Sequence, residues 1–287
     1  MTVSLKTCTY IAELRDALSQ VRQQGKTIGF VPTMGNLHDG HLSLVKEAQK
    51  HVDVVVVSIF VNPLQFGANE DLDSYPRTLA ADKDKLIAQH TDFLFTPVVE
   101  EIYPHGMETH TKVVVPELGS HHCGSSRPGH FDGVSTVVTK LLNIVGADIA
   151  VFGQKDFQQL AIIRKMADDL CLPTRIHGAP THRADDGLAL SSRNQYMNDE
   201  QRALAPNLYR IIGESQQQVL EGTAPNDVEQ WARGTLNALG LTVDYFNIAD
   251  ARTLEPLSPA SSEAVILAAS FLGNTRLIDN LTFSTTA

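Results

Sequence analysis

Through the first two-thirds of the chain, short runs of β-branched and aromatic residues alternate with longer segments of helical periodicity. The run Val54-Val55-Val56-Val57-Ser58-Ile59-Phe60-Val61 is apolar at successive positions, as a parallel strand covered on both faces must be. It lies roughly twenty residues beyond a first strand-like run at 27–31, with a helix-like run at 42–48 between, so the three read as a βαβ unit. A helix over 79–90 leads to a strand at 93–95, one over 134–145 to a strand at 149–152, and one over 157–170 to a strand at 174–176. This rhythm predicts an α/β fold, a Rossmann-like doubly wound sheet with mainly parallel strands. It changes near Ala179-Pro180. Two helices are expected beyond, each opening on a capping box, Asn198 with Gln201 and Asn226 with Glu229. Three strands at about 243–248, 264–269 and 275–278 complete a second, smaller α+β domain. The expected division is residues 1–180 and 181–287.

A length of 287 residues suits two such cores. The net charge of −10 argues against broad binding to nucleic acid or to an anionic membrane, so any anionic ligand must be held by local positive groups. Cys8, Cys123 and Cys171 are odd in number and widely spaced, which suggests reduced thiols in a cytosol. Residues 1–16 carry no signal-peptide core, and the longest apolar run is far too short to span a bilayer. A soluble cytoplasmic protein with small-molecule partners is the expectation.

Ligands of open α/β sheets bind beyond the carboxyl ends of the strands, so polar residues just after predicted strands are the candidates. The first group is Met34-Gly35-Asn36-Leu37-His38-Asp39-Gly40-His41, at a strand-to-helix turn. Its two histidines share a helix face, and the first N–H groups of a helix welcome a phosphate. A metal pair or two solvated histidines are the alternatives, although a closed zinc site wants about four ligands and none stands nearby at such spacing. The second group holds Asn62 and Gln65, whose amides can grip hydroxyls and carboxylates. The third is Gly153-Gln154-Lys155-Asp156, with Gln159 one turn on and Lys155 a point charge for a phosphate. The fourth, Ser191-Ser192-Arg193-Asn194, offers hydroxyls and a guanidinium at the expected domain junction. The loop 127–133 reads as a carboxylate-binding or lid segment, or equally as a structural turn. His121-His122-Cys123 reads as a surface loop.

Six blocks in order carry a resemblance: 31–41, 60–66, Tyr75-Pro76-Arg77-Thr78, 127–133, 152–159 and 188–194. With them the chain resembles the pantothenate synthetases, ATP-dependent ligases that join pantoate to β-alanine through a pantoyl adenylate and release AMP and pyrophosphate. The resemblance implies that Met34 to His41 line the ATP site, with His38 and His41 against the phosphates and His41 a candidate acid. It implies that Gly153, Gln154, Lys155 and Asp156 contact ATP, Lys155 its phosphates. Leu190, Ser191, Ser192 and Arg193 correspond to the flexible second nucleotide signature. Gln65 would hold pantoate and β-alanine, with Asn62 and Gln159 on pantoate. His38, His41, Lys155 and Arg193 would supply positive charge to the transition state, together with Mg²⁺ held by Asp82. Two positions depart from the pattern. His182 stands where relatives tend to place an apolar residue whose backbone contacts adenine, and Ala81 where some carry a second acid near the metal. A homodimer is also implied.

Overall fold

The computed structural model describes residues 5–67 and 70–285. Its first layer is a parallel sheet of β1 (Lys6–Cys8), β2 (Ile28–Thr33), β3 (Val54–Ile59), β4 (Phe93–Phe95), β5 (Ile149–Gly153) and β6 (Arg175–Ala179). The spatial order is β1-β4-β3-β2-β5-β6. Val54 to Val57 are all buried, which is why that run carries no polar alternation. The chain winds outward from β2 to β3 and β4, then returns to lay β5 on the other side of β2. The winding therefore reverses between β2 and β5, where an open α/β sheet leaves a crevice.

Helices cover both faces: α1 (Ile11–Gln23), α2 (Asp39–Gln49), α3 (Leu79–Ala88), the short α4 (Val99–Ile102) and α5 (Cys123–Ser126), then α6 (His130–Val145) and α7 (Phe157–Asp169). Helix α1 buries Leu14, Leu18 and Val21, one stripe at helical spacing. Helix α6 is buried nearly all round, because it lies against both α7 and the turn Pro63–Gln65.

Beyond β6 come α8 (Asp199–Leu204), α9 (Asn207–Leu220) and α10 (Pro225–Ala238), then an antiparallel meander of β7 (Thr242–Asp250), β8 (Glu263–Leu272) and β9 (Thr275–Ser284). Alternation along β8 serves two cores. Ala264, Ile266 and Ala268 pack with Ile211, Val228 and Leu236 of α9 and α10, while Val265 and Leu267 join the core of the parallel-sheet layer. Among the described residues no helix is long and apolar enough to cross a membrane.

Two local expectations need correction. The capping box at Asn198 and Gln201 forms, but Asn226 caps nothing. Pro225 takes the first helical position of α10, where its missing N–H is harmless, and the Glu229 carboxylate instead accepts the N–H of Ile248 at 2.7 Å. The segment His121-His122-Cys123 is no surface loop. Cys123 is buried, Arg276 of β9 donates to its Sγ at 3.3 Å, and His122 contacts Asn247 of β7 at 2.7 Å, so the segment seals the two layers together.

Candidate active site

The loop after β2 is held in an unusual shape from below. Gly35 and Asn36 both adopt left-handed φ, +85° and +49°, and a Cβ at position 35 would stand 3.0 Å from the Ile59 side chain. This double turn points the N–H groups of Asn36 and Leu37 at the Asp82 carboxylate, 2.9 and 2.8 Å away. Thr78 Oγ1 donates to the same group at 3.1 Å, and Lys85 Nζ holds the carbonyl of Leu37 at 2.5 Å. Asp82 and Lys85 are one turn apart on α3, so a single helix face clamps the loop. Asp82 is fully buried and its oxygens are occupied by three donors, so it does not fit the role of a metal ligand. It anchors the loop.

The loop delivers His38 as the N-cap of α2 and His41 one turn in. His38 Nδ1 accepts the N–H of Gly40 at 3.1 Å, His41 Nδ1 faces the N–H of His38 at 3.4 Å, and the rings lie 4.1 Å apart. A ring nitrogen that accepts is unprotonated, so each neutral imidazole keeps its hydrogen on Nε2. Burial against the cleft walls, with Lys155 nearby, pushes the His38 pKa down to about 4. Burial and the neighbouring His38 ring push His41 down to about 3. Both shifts favour the neutral form in the ligand-free cleft, where His38 and His41 present Nε2–H donors.

Lys155 sits in the turn Gln154–Asp156 that follows β5, across the crevice. The Asn280 amide of β9 donates to the carbonyls of Gln154 and Lys155 at 2.9 and 2.8 Å, fixing the backbone. Among the described residues the Lys155 ammonium has no hydrogen bond or ion pair, and it faces the cleft with its charge available. The nearby arginines differ. Arg193 forms a fork on Asp71, at 3.1 Å from Nε and 2.7 Å from Nη2, and Arg127 forks on Glu70, at 2.6 Å from Nε. The fork uses the Nε and Nη2 side of Arg193 and partly offsets its charge, so Lys155 is the less committed cation of the cleft.

The loop after β3 supplies the opposite wall. Asn62, 1% exposed, donates to Gln65 Oε1 at 3.3 Å and to the Gly133 carbonyl at 3.1 Å, and accepts from Tyr103 at 2.8 Å. Its amide is thus engaged inside the protein, and it orients Gln65. Gln65 reaches into the cleft with Nε2 at 2.8 Å from Met34 Sδ. Its backbone carbonyl takes His130 Nδ1 at 2.7 Å, so the loop 127–133 braces Gln65. Helix α6 presses so closely that a Cβ on Gly133 would stand 2.2 Å from the Leu64 carbonyl.

The remaining expected residues divide cleanly. Met34, Gly40, Gly153, Asp156, Gln159, His182, Leu190, Ser191 and Ser192 line one cleft with the histidines, Lys155, Arg193, Asn62 and Gln65. Gly35, Asn36, Leu37, Asp39 and Gln154 do not line it; Asn36 instead accepts from Ser192 at 3.2 Å, which couples the first loop to the fourth group. The cleft holds about 230 Å³, and through Lys155, Gln159, Ser191 and Arg193 it joins a chamber of about 850 Å³ between the two layers. Val134, Val137, Val138 and Leu141 of α6 form an apolar wall that sequence alone reads as ordinary core. Lys85 and Asn280 also escaped notice, since neither stands at a strand-to-helix turn. The combination is a polar, phosphate-sized end with the Lys155 ammonium beside a half-apolar pocket bearing the amides of Gln65 and Gln159.

The family model for pantoate–β-alanine ligase matches residues 6–282. A pantothenate synthetase of Marinobacter nauticus is 56% identical over 98% of this chain and all of its own, and one from Stutzerimonas stutzeri is 58% identical over 94% and 95%. Among solved structures, pantothenate synthetase from Thermus thermophilus superposes with a TM-score of 0.91 at 43% identity, covering 99% of this chain and 100% of its own. The pantoate–β-alanine ligase of Francisella tularensis, complexed with βγ-ATP and β-alanine, gives 0.82 at 34% identity, with 99% of each chain covered.

Proposed function

Because the chain belongs to the pantoate–β-alanine ligase family, we propose that its cleft condenses (R)-pantoate with β-alanine through a pantoyl adenylate. A carboxylate is a poor electrophile, and ATP supplies the activation. A pantoate carboxylate oxygen attacks the α-phosphorus and the bond to pyrophosphate breaks. The amine of β-alanine then attacks the acyl carbon, AMP leaves with that oxygen, and the amine gives up a proton as pantothenate forms.

The observation that carries this reading is the placing of three strand-end loops around one crevice, with Lys155 unpaired opposite the His38–His41 pair. The first step brings two anions together, so preorganised donors are the main requirement. Lys155 supplies full charge to the phosphates. His38 and His41 supply Nε2–H donors that need no proton from solvent, and when a polyphosphate stands against them their affinity for a second proton rises, which lets His41 serve as the acid. Gln65, oriented by Asn62, holds pantoate against the apolar wall of α6, with Gln159 at its other side. The backbone near His182 and Leu190 holds adenine, while Ser191, Ser192 and Arg193 close over the phosphates.

Residues 181–287 act in this reading as the unit that completes the cleft, since they supply the Ser191–Arg193 segment and the Asn280 clamp. Mg²⁺ is assigned to the nucleotide's own phosphates and to water, which suits its reluctance to shed water, and not to Asp82. A cytoplasmic homodimer belongs to the same reading, and light scattering tests the dimer. The ligase reading is separated from a dinucleotide-forming transferase by incubating the protein with ATP, pantoate and β-alanine. AMP and pantothenate must appear together and in equal amounts. A dinucleotide product, or AMP without pantothenate, would sink it.

A further inference from the structure

The far end of α2, away from the cleft, carries a second set of ligating side chains. Glu47 lies in the last turn of α2, His51 follows four residues on, and His177 stands on β6, the edge strand of the parallel sheet. His177 Nε2 is 3.1 Å and His51 Nε2 3.3 Å from the same Glu47 oxygen, Oε1. The three ligating atoms all lie within 4.8 Å of one another. The two ring centroids are 4.9 Å apart and the planes are tilted at 58°, so the rings do not stack flat.

These separations can be compared with a metal site. Around a tetrahedral Zn²⁺ with bonds of about 2.0–2.1 Å, ligand atoms stand roughly 3.3–3.4 Å apart. Both Glu47–His distances already fall close to that, and only the histidine pair needs to draw together. The other carboxylate oxygen is fixed from outside: Lys50 Nζ donates to Oε2 at 2.7 Å, leaving Oε1 for the histidines. Such an outer partner orients a ligand in the way metal sites require. All three side chains keep an open side, with relative exposures of 19% for Glu47, 30% for His51 and 27% for His177, which leaves room for a water as fourth ligand. The cleft pair His38–His41 differs, because both Nδ1 atoms already serve the backbone of the same turn.

We propose that Glu47, His51 and His177 form a binding site for a zinc-class divalent cation, separate from the active site. Two imidazoles and one carboxylate favour Zn²⁺ over Mg²⁺ or Ca²⁺, which prefer all-oxygen shells. The bound ion would tie the carboxyl end of α2 to edge strand β6. Helix α2 opens on His38 and His41, so the tie fixes the far end of the helix that presents them.

The test uses the full chain, stripped of metal and titrated with Zn²⁺ against a chromophoric chelator, then with Co²⁺ for its visible absorption. One equivalent of Zn²⁺ is expected to bind, and Co²⁺ is expected to give the intense bands of a four-coordinate site. His51→Gln, His177→Gln and Glu47→Gln should each weaken binding by more than about 100-fold, beyond the roughly 10–100-fold typical of an outer-shell partner. The same variants should keep ligase activity and the far-ultraviolet spectrum of the parent, showing that they fold. His38→Asn should leave the Zn²⁺ affinity unchanged. Absence of binding at micromolar Zn²⁺ would overturn the site and leave the three residues as a hydrogen-bonded cluster. Binding that survives His51→Gln and His177→Gln would overturn it equally.

Discussion

Substituting Asp82 by asparagine keeps the size of the side chain and removes one acceptor. In the parent, each carboxylate oxygen takes one buried backbone N–H, from Asn36 at 2.9 Å and from Leu37 at 2.8 Å. Asparagine offers one carbonyl oxygen and, in the second position, an NH₂ group that can only donate. One loop amide therefore loses a hydrogen bond to a carboxylate, about 1.5–3 kcal/mol, and is left buried without a partner, about 1–3 kcal/mol. Because both figures concern the same group, they overlap, and a local loss of about 2–4 kcal/mol follows. At about 1.4 kcal/mol per tenfold, the Asn36 and Leu37 amides should exchange with solvent on the order of 30- to 1000-fold faster. The measurement is site-resolved hydrogen exchange with neither ATP nor Mg²⁺ present, and activity should fall with the loop's order. Unchanged protection of those amides, together with activity recovered simply by raising Mg²⁺, would refute the anchor and make Asp82 a metal ligand after all.

Lys155→Met should lower the rate of adenylate formation on the order of 10²–10³-fold while leaving the unfolding transition in place, because the ammonium has no partner to lose among the described residues; stopped-flow pyrophosphate release checks this. With folded values near 4 and 3 for His38 and His41 against about 6.5 unfolded, the unfolded chain binds more protons as pH falls below about 6.5. The stability contributed by the neutral pair is full above that pH and is lost as the pH drops toward 4; in His38→Asn/His41→Asn the urea midpoint should therefore decline less over this window than in the parent. Gly133→Ala places a Cβ 2.2 Å from the Leu64 carbonyl, so α6 must move off the loop that holds Gln65. The strain should amount to about 1–3 kcal/mol and the KM for pantoate should rise more than that for ATP, read from thermal melts and initial rates.

The sequence shows the parallel sheet well because its strands are buried on both faces, and a run such as Val54–Val57 has no other use in a helical context. Strand β1 has three residues and, among the described residues, β4 alone as neighbour, too short for periodicity to register. The residues at strand ends were legible for the same topological reason that makes crevices there. What those residues do was less so. Arg193 and Asp71 lie 122 positions apart, and no local pattern announces that the guanidinium is already engaged. Asp82 looks like a free acid on a helix until the loop folds down upon it, and the neutrality of His38 and His41 depends on walls contributed by β5 and the Leu190 segment. Local sequence reveals where ligand chemistry gathers; partner choice is a property of contacts between distant segments.

That distinction also shapes the mechanism. In a cleft whose arginines are held by Glu70 and Asp71, Lys155 is the charge ready for the first anion, and the histidines are poised donors. Under the proposed mechanism the phosphates meet Lys155, and Ser191, Ser192 and Arg193 close over them from one segment.

The central claim is that a pantoate oxygen becomes bonded to the α-phosphorus before β-alanine reacts. Pantoate labelled with oxygen-18 in its carboxylate, turned over with ATP and β-alanine, tests it by mass spectrometry of the products. One labelled oxygen must appear in AMP and none in pyrophosphate. Label in inorganic phosphate, or AMP free of label, would contradict the adenylate and the roles given to Lys155, His38 and His41.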